Sequence, residues 1–320
     1  MSENTRSIIN AQARERDFRV KMIYHPVLHV VDLDEAEDFY RRVFGRSSTP
    51  LASVRKAPPK PNHSIDHSIF TSVGDVLIDS LDPKRYITGG VQRPAVEQGH
   101  LQTFGWYIEG MPELYRELKH QGIRVTNSQD EIAEGDELPM AGPIPHFHTL
   151  PVDAGIRYYF FPLFPFKPDL RLTPDWSIPV VSEDDPLGIE YCSHHTVLTD
   201  NPNRAHKFVV DVLGGTVIHE GHDNVRCVTG SYVHLADAIL QYAAPDADSA
   251  AQADLAANGA DDVYHAITWK VVDIDRVERH VEAQGLRILT RTDDTIITDP
   301  STSLGVPWGF TTKRVPGDPR

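Results

Sequence analysis

The chain repeats itself half its length apart. The stretch "YHPVLHVVDLDEAEDFYRRVFG" (24–45) returns as "SHHTVLTDNPNRAHKFVVDVLG" (193–214) at an offset of 169. His25 falls on His194, Ala36 on Ala205, Phe39 on Phe208, Val43 on Val212 and Gly45 on Gly214. Both copies read as a β-branched strand opened by histidine, then a short helix stopped by glycine. Each is followed by further strands, ending in "FTSVGDVLIDSLDP" and "YVHLADAILQYAAP", where the offset is 162 and Asp75, Asp79 and Pro83 fall on Asp237, Gln241 and Pro245.

A second pair of segments follows the first. "FGWYIEGMPELYRELKHQGIRV" (104–125) aligns with "ITWKVVDIDRVERHVEAQGLRI" (267–288) at an offset of 163, which places Trp106 on Trp269 and Gly122 on Gly285. Each then reaches a strand opened by glycine, "GIRYYFF" from Gly155 and "GVPWGFT" from Gly305, at an offset of 150. The order is therefore A-B-A′-B′, and every unit reads βαβββ. Units this long are not solenoid repeats; paired, they curve a sheet into a bowl. The expected class is α+β, with four βαβββ modules paired into two bowl-shaped domains. The expected bounds are an N-terminal extension over 1–22, a first domain over 23–165, a Pro-rich linker over 166–189 and a second domain over 190–314.

Composition narrows the function classes. With 31 Lys and Arg against 46 Asp and Glu, the net charge is −15 and no basic block is present, which argues against nucleic-acid or anionic-membrane partners. Two cysteines, Cys192 and Cys227, make neither a disulfide framework nor a four-thiolate zinc site. The first residues lack the apolar core of a signal peptide, and the expected location is the cytoplasm. Phosphate loops, nucleophile elbows and HExxH helices are absent from the sequence.

The strand-helix opening "HPVLHVVDLDEAEDFYRRVFG", repeated in a four-module order, resembles the vicinal oxygen chelate superfamily of glyoxalase I, bleomycin-resistance proteins and extradiol dioxygenases. The resemblance implies metal ligands on the first and last strands of each module pair. Carried onto this sequence, it offers His194, Gln241, His265 and Gly309 in the second bowl, and His25, Asp79, Gln102 and Tyr159 in the first. His194 and His265 would be two imidazole ligands, with Gln241 a third, since Gly309 stands where a glutamate is usual. His25, Asp79 and Gln102 form the weaker alternative set.

The ion the resemblance implies is divalent, Fe(II) first, with Mn, Zn or Ni as options. The leading expectation is an extradiol-type ring-cleaving dioxygenase acting on a catechol-like small molecule. The alternatives are a metal-dependent isomerase, lyase or hydrolase, or a metal-free small-molecule-binding protein. Tyr159 and His29 are candidates for proton handling, and a homo-oligomer is expected. A lone strand histidine is ordinarily just hydrogen-bonded, so it is recurrence in register that raises His25 and His194 above that reading. The proline- and charge-rich loops 55–65 and 127–145 are expected to lie over a bowl mouth or an interface.

Overall fold

The computed structural model describes residues 16–55, 62–88, 90–259 and 261–320. The centre of the loop expected over 55–65 and most of the 1–22 extension lie outside these residues.

Module one contains β1 (Arg19–His29), α1 (Leu33–Phe39), β2 (Ser48–Pro50), β3 (Ser68–Val73) and β4 (Val76–Leu81). Module two contains β5 (His100–Glu109), α2 (Met111–His120), β6 (Val125–Thr126), β7 (Phe147–Thr149) and β8 (Tyr159–Pro162). Module three has β9 (Ile189–Leu198), α3 (Pro202–His206), β10 (Thr216–Asp223), β11 (Val228–Leu235) and β12 (Ala238–Pro245). Between it and module four lies α4 (Ala250–Ala257), and module four has β13 (Val263–Val271), α5 (Ile274–Ala283), β14 (Ile288–Arg291), β15 (Thr295–Thr298) and β16 (Gly309–Thr311). The two eight-stranded sheets run β2-β3-β4-β1-β5-β8-β7-β6 and β10-β11-β12-β9-β13-β16-β15-β14, the same order twice.

The register repeats as closely as the order. β1 lies parallel to β4 with Val27 opposite Asp79, and β9 lies parallel to β12 with Thr196 opposite Gln241. β5 lies parallel to β8 with Gly105 opposite Tyr159, and β13 to β16 with Thr268 opposite Gly309. These pairs are related by the four offsets read from the sequence. Even the irregularities repeat: β1–β5 shifts register after Val20, Ile23 and Val27, and β9–β13 shifts after Ile189, Cys192 and Thr196. Each bulge bends its strand, and a bend at matching places is what curves both sheets alike.

The helices explain why the halves adhere. Asp32 caps α1 by accepting from the N–H groups of Asp34 and Glu35, and Asn201 caps α3 by accepting from Arg204. Each helix then widens into a π turn, Tyr40–Phe44 and Lys207–Val212. Gly45 ends the first at φ 65°, a conformation glycine adopts without a Cβ penalty. Phe44 meets Trp269 at 6.1 Å between ring centres, and Phe208 stacks on Tyr158 at 4.7 Å. Each half thus packs the end of its first helix against the other half, and one apolar cluster runs through both. The concave faces are left turned away from that core.

The Pro-rich segment expected over 166–189 packs against the first half through Arg171, which donates to the carbonyls of Asp75 and Tyr24. After β8, Phe164 and Phe166 fold back onto the first bowl. Asp169 and Arg171 then form an almost completely buried ion pair at 2.8 Å. The 127–145 loop lies along α2, whose Tyr115 hydroxyl donates to the carbonyl of Gly135 at 2.6 Å. Among the described residues, no helix is long and apolar enough to cross a membrane.

Candidate functional site

In the second bowl, His194 projects from β9 and is 6% exposed. Its Nδ1 lies 3.1 Å from Ser193 Oγ, while its Nε2 is buried without a partner among the described residues. Burial first, and the nearby Arg226 charge second, push its pKa down to about 3, so the ring is neutral at neutral pH. Tyr232 of β11 stands edge-on to it at 5.3 Å. Gln241 is engaged at both ends: its Oε1 accepts from Thr196 Oγ1 at 2.7 Å, and its Nε2 donates to the Tyr232 hydroxyl at 2.8 Å. The amide therefore positions Tyr232.

His265 is the residue skipped at a register shift of β13, between Tyr264 and Ala266. Its Nδ1 lies 2.6 Å from Asp254 Oδ2 on α4. Burial lowers its pKa, the Asp254 contact opposes this, and the Arg226 charge lowers it further.

Arg226, which sequence reasoning missed, lies between them. It comes from the turn joining β10 to β11, where Asp223 Oδ1 accepts from the N–H groups of Val225 at 2.9 Å and Arg226 at 3.2 Å. Its side chain is swallowed by the bowl and is 7% exposed. Nη2 donates to Thr268 Oγ1 at 3.1 Å and to the Pro307 carbonyl at 3.2 Å, and Nη1 has no partner. Among the described residues no carboxylate forms an ion pair with it. Burial pushes its pKa down to about 10, with Asp223 opposing from a distance. A Cβ placed on Gly309 would sit 2.6 Å from Nη2 and 2.5 Å from Thr268 Oγ1. The guanidinium thus fills the space a side chain at the last-strand position would need.

The same arginine divides the concavity. A cavity of ≈ 430 Å³ is lined by His194, Tyr232, Thr268 and Thr311, and another of ≈ 500 Å³ by His265, Asp254 and Cys227. Arg226 lines both. A divalent ion bound by His194, Gln241 and His265 would share this floor with an uncompensated cation. The donors add one neutral amide, already doubly bonded, and no carboxylate. These residues do not fit such an ion. Among the described residues, no three His, Cys, Asp or Glu side chains converge as a metal-holding group.

The first bowl is filled differently. His25 Nδ1 and Asp79 Oδ1 are both buried without partners. Burial pushes His25 down to about 3, with Arg171 acting the same way, and pushes the Asp79 carboxyl up to about 7, with a Ser68 hydrogen bond opposing. Gln102 is skipped at the β5 register shift, as His265 is in β13. Aromatic rings pack over this floor: Phe166 lies 4.9 Å from Phe70, and Phe164 lies 5.6 Å from Tyr24. His146 stacks on Phe161 at 4.1 Å. Tyr159 meets His148 at 5.0 Å, and burial pushes its hydroxyl up to about 12. His29 lies against His100 at 5.2 Å, away from His25's aromatic neighbours.

No family model matches the sequence, and no curated protein does. Solved structures match the whole architecture. The 2,3-dioxygenase LapB from Pseudomonas sp. KL28 superposes with a TM-score of 0.57 at 13% identity, covering 94% of this chain and 95% of its own. A triple mutant of 4-hydroxymandelate synthase from Streptomyces coelicolor gives 0.57 at 12% identity, covering 93% and 95%. The Mn(II)-bound glyoxalase from Novosphingobium aromaticivorans gives 0.54 at 14% identity, covering 94% and 85%. Such identities speak to fold alone. Together with the twice-repeated strand order and register, they show that this chain shares the fold of these proteins.

Proposed function

We propose that this protein binds a small molecule in the second bowl without a resident metal, using its side chains alone. The observation that carries the reading is Arg226, whose guanidinium lies against Gly309, between the walls that bear His194 and His265. Both metal-dependent alternatives, ring-cleaving dioxygenase and metal-dependent isomerase, lyase or hydrolase, need several donors and an open position on one cation. A fixed positive charge on the floor opposes that cation. The ≈ 430 Å³ cavity has the size of a small-molecule site, and its buried wall offers hydroxyls and a neutral imidazole. His194 and Tyr232 are the groups placed to handle protons there.

A second reading is a metal in the first bowl, favoured by the unpartnered His25 Nδ1 and Asp79 Oδ1. The Phe164 and Phe166 rings over that floor weigh against it. Elemental analysis of protein expressed with iron, manganese, zinc and nickel tests both. The expected result is no stoichiometric metal. One ion per chain that is lost in His194→Ala would overturn the reading; one lost in His25→Ala would move the site to the first bowl.

A further inference from the structure

We infer that the ligand of the second bowl is a carboxylate, and that Arg226 is the group that holds it. The inference rests on the metal-independent reading and names its substrate class. Buried charges in proteins are paired or serve a ligand, because an unpaired ion loses its hydration without return. Arg226 is 7% exposed, forms no ion pair among the described residues and leaves Nη1 without any acceptor. Its hydrogen-bond partners among the described residues are neutral oxygens, Thr268 Oγ1 and the Pro307 carbonyl, both on Nη2.

The rest of the cavity wall agrees. Its buried polar groups are Ser193, His194, Thr268, Thr295 and Thr311, all neutral, so the deep wall carries one charge and it is positive. The acids lie outward: Asp293 is exposed, Asp223 is partly exposed, and Asp294 is already paired with Lys313. Tyr232 accepts from Gln241, which leaves its own proton to donate, and His194 Nε2 is unpartnered. A carboxylate oxygen can accept a charge-assisted hydrogen bond from Nη1, the terminal nitrogen left without an acceptor. With Nη2 committed to Thr268 and Pro307, that one nitrogen suits a monoanion better than a phosphate dianion. A further oxygen on the ligand would find Tyr232 and the threonine hydroxyls.

The test is a thermal-shift and calorimetric panel of small carboxylic acids, each paired with its primary amide, and inorganic phosphate, on the full chain. Binding is expected for a subset of the acids, at least tenfold tighter than for their amides. It should be lost in Arg226→Gln and partly retained in Arg226→Lys, with melting curves confirming that both variants fold. Amides binding as well as acids, phosphate binding in preference to every acid, no acid binding at all, or acid binding undiminished in Arg226→Gln would each overturn the carboxylate assignment. Stoichiometric metal lost on His194→Ala would instead overturn the underlying reading. No metal, with acids and amides bound equally, would leave that reading standing and remove only the carboxylate.

Discussion

Asp75 Oδ1 accepts a hydrogen bond from the backbone N–H of Cys192 at 2.6 Å, across the boundary between the two halves. The mirror contact exists: Asp237 Oδ1 accepts from the N–H of Ile23 at 2.8 Å. Each acid lies in the turn between the last two strands of its module and reaches the first strand of the opposite half, where that strand shifts register. A bulge frees an N–H from the ladder, and the acid from the other half satisfies it. The arginines obey the same symmetry. Arg171 donates to the Tyr24 carbonyl at 2.6 Å, and Arg320 donates to the Ser193 carbonyl at 3.0 Å. Curvature of each bowl and adhesion of the two halves are thus enforced by one reciprocal set of contacts.

Removing Asp75 should therefore weaken the whole chain, although no cavity residue is touched. Asp75→Ala strands the Cys192 N–H, a loss worth about 1–3 kcal/mol for a buried donor. Asp75→Asn keeps an accepting oxygen and should cost less. Denaturant midpoints of the two variants decide this. An alanine variant as stable as the parent would show that the contact contributes nothing.

The repeat was legible in sequence because strand register and offset are the same quantity: Val27 opposite Asp79 and Thr196 opposite Gln241 are the offsets 169 and 162 in three dimensions. The further recurrence of Asp169 and Arg171 in Asp318 and Arg320 is not legible in the sequence, because a D-x-R pair in proline-rich chain has no periodicity to flag it. Arg226 was hidden for a related reason. It lies in a hairpin turn, where a charged residue ordinarily faces water, and only the bowl's depth reveals that it points inward. Asp254 belongs to α4, a helix with no counterpart among the described residues of the first half. Module geometry is written in alternation and spacing, whereas the chemistry rests on loops that the repeat does not govern.

The Asp79 carboxyl gives a pH signature. Burial pushes its folded pKa up to about 7, above the usual carboxylate range. The folded chain therefore binds a proton that the unfolded chain has released between roughly pH 4 and 7. Its contribution is fully present below pH 4 and is lost as pH rises through 7, by an amount on the order of 4 kcal/mol. Asp79→Asn is neutral throughout and should flatten this part of the stability profile, with the greatest relative gain at pH 8. Unfolding free energies from pH 4 to 8 check it. Parallel profiles for parent and variant would contradict the assignment.

Arg226 is expected to lower stability while serving the site. A buried, unpaired cation is expensive, and replacing such charges by apolar side chains of similar volume is often neutral or stabilising by about 1–4 kcal/mol. Arg226→Met should raise the melting temperature of the ligand-free protein even though it removes two hydrogen bonds. A lower melting temperature would mean that the bonds to Thr268 and Pro307 outweigh desolvation.

Gly309 and Arg226 should be energetically coupled, because the glycine leaves the room the guanidinium occupies. A methyl at Gly309 would lie 2.6 Å from Nη2 and 2.5 Å from Thr268 Oγ1, so one or both side chains must move. Gly309→Ala alone should be destabilising by about 1–3 kcal/mol, the cost of forcing an extra carbon into packed structure. In Arg226→Ala the guanidinium is gone and the Thr268 hydroxyl can rotate, so the added methyl should cost much less. The double-mutant cycle is then non-additive, with a coupling of about 0.5–3 kcal/mol for residues in contact. Strictly additive effects would separate the two residues and undo the argument that the arginine occupies the last-strand position. Gly309→Glu, combined with Arg226→Ala, extends the test: it supplies a carboxylate in the room vacated by the guanidinium. Stoichiometric uptake of a divalent metal by that double variant, with none by the parent, is the expected outcome. Equal metal content in both would show that Arg226 is not what excludes the ion.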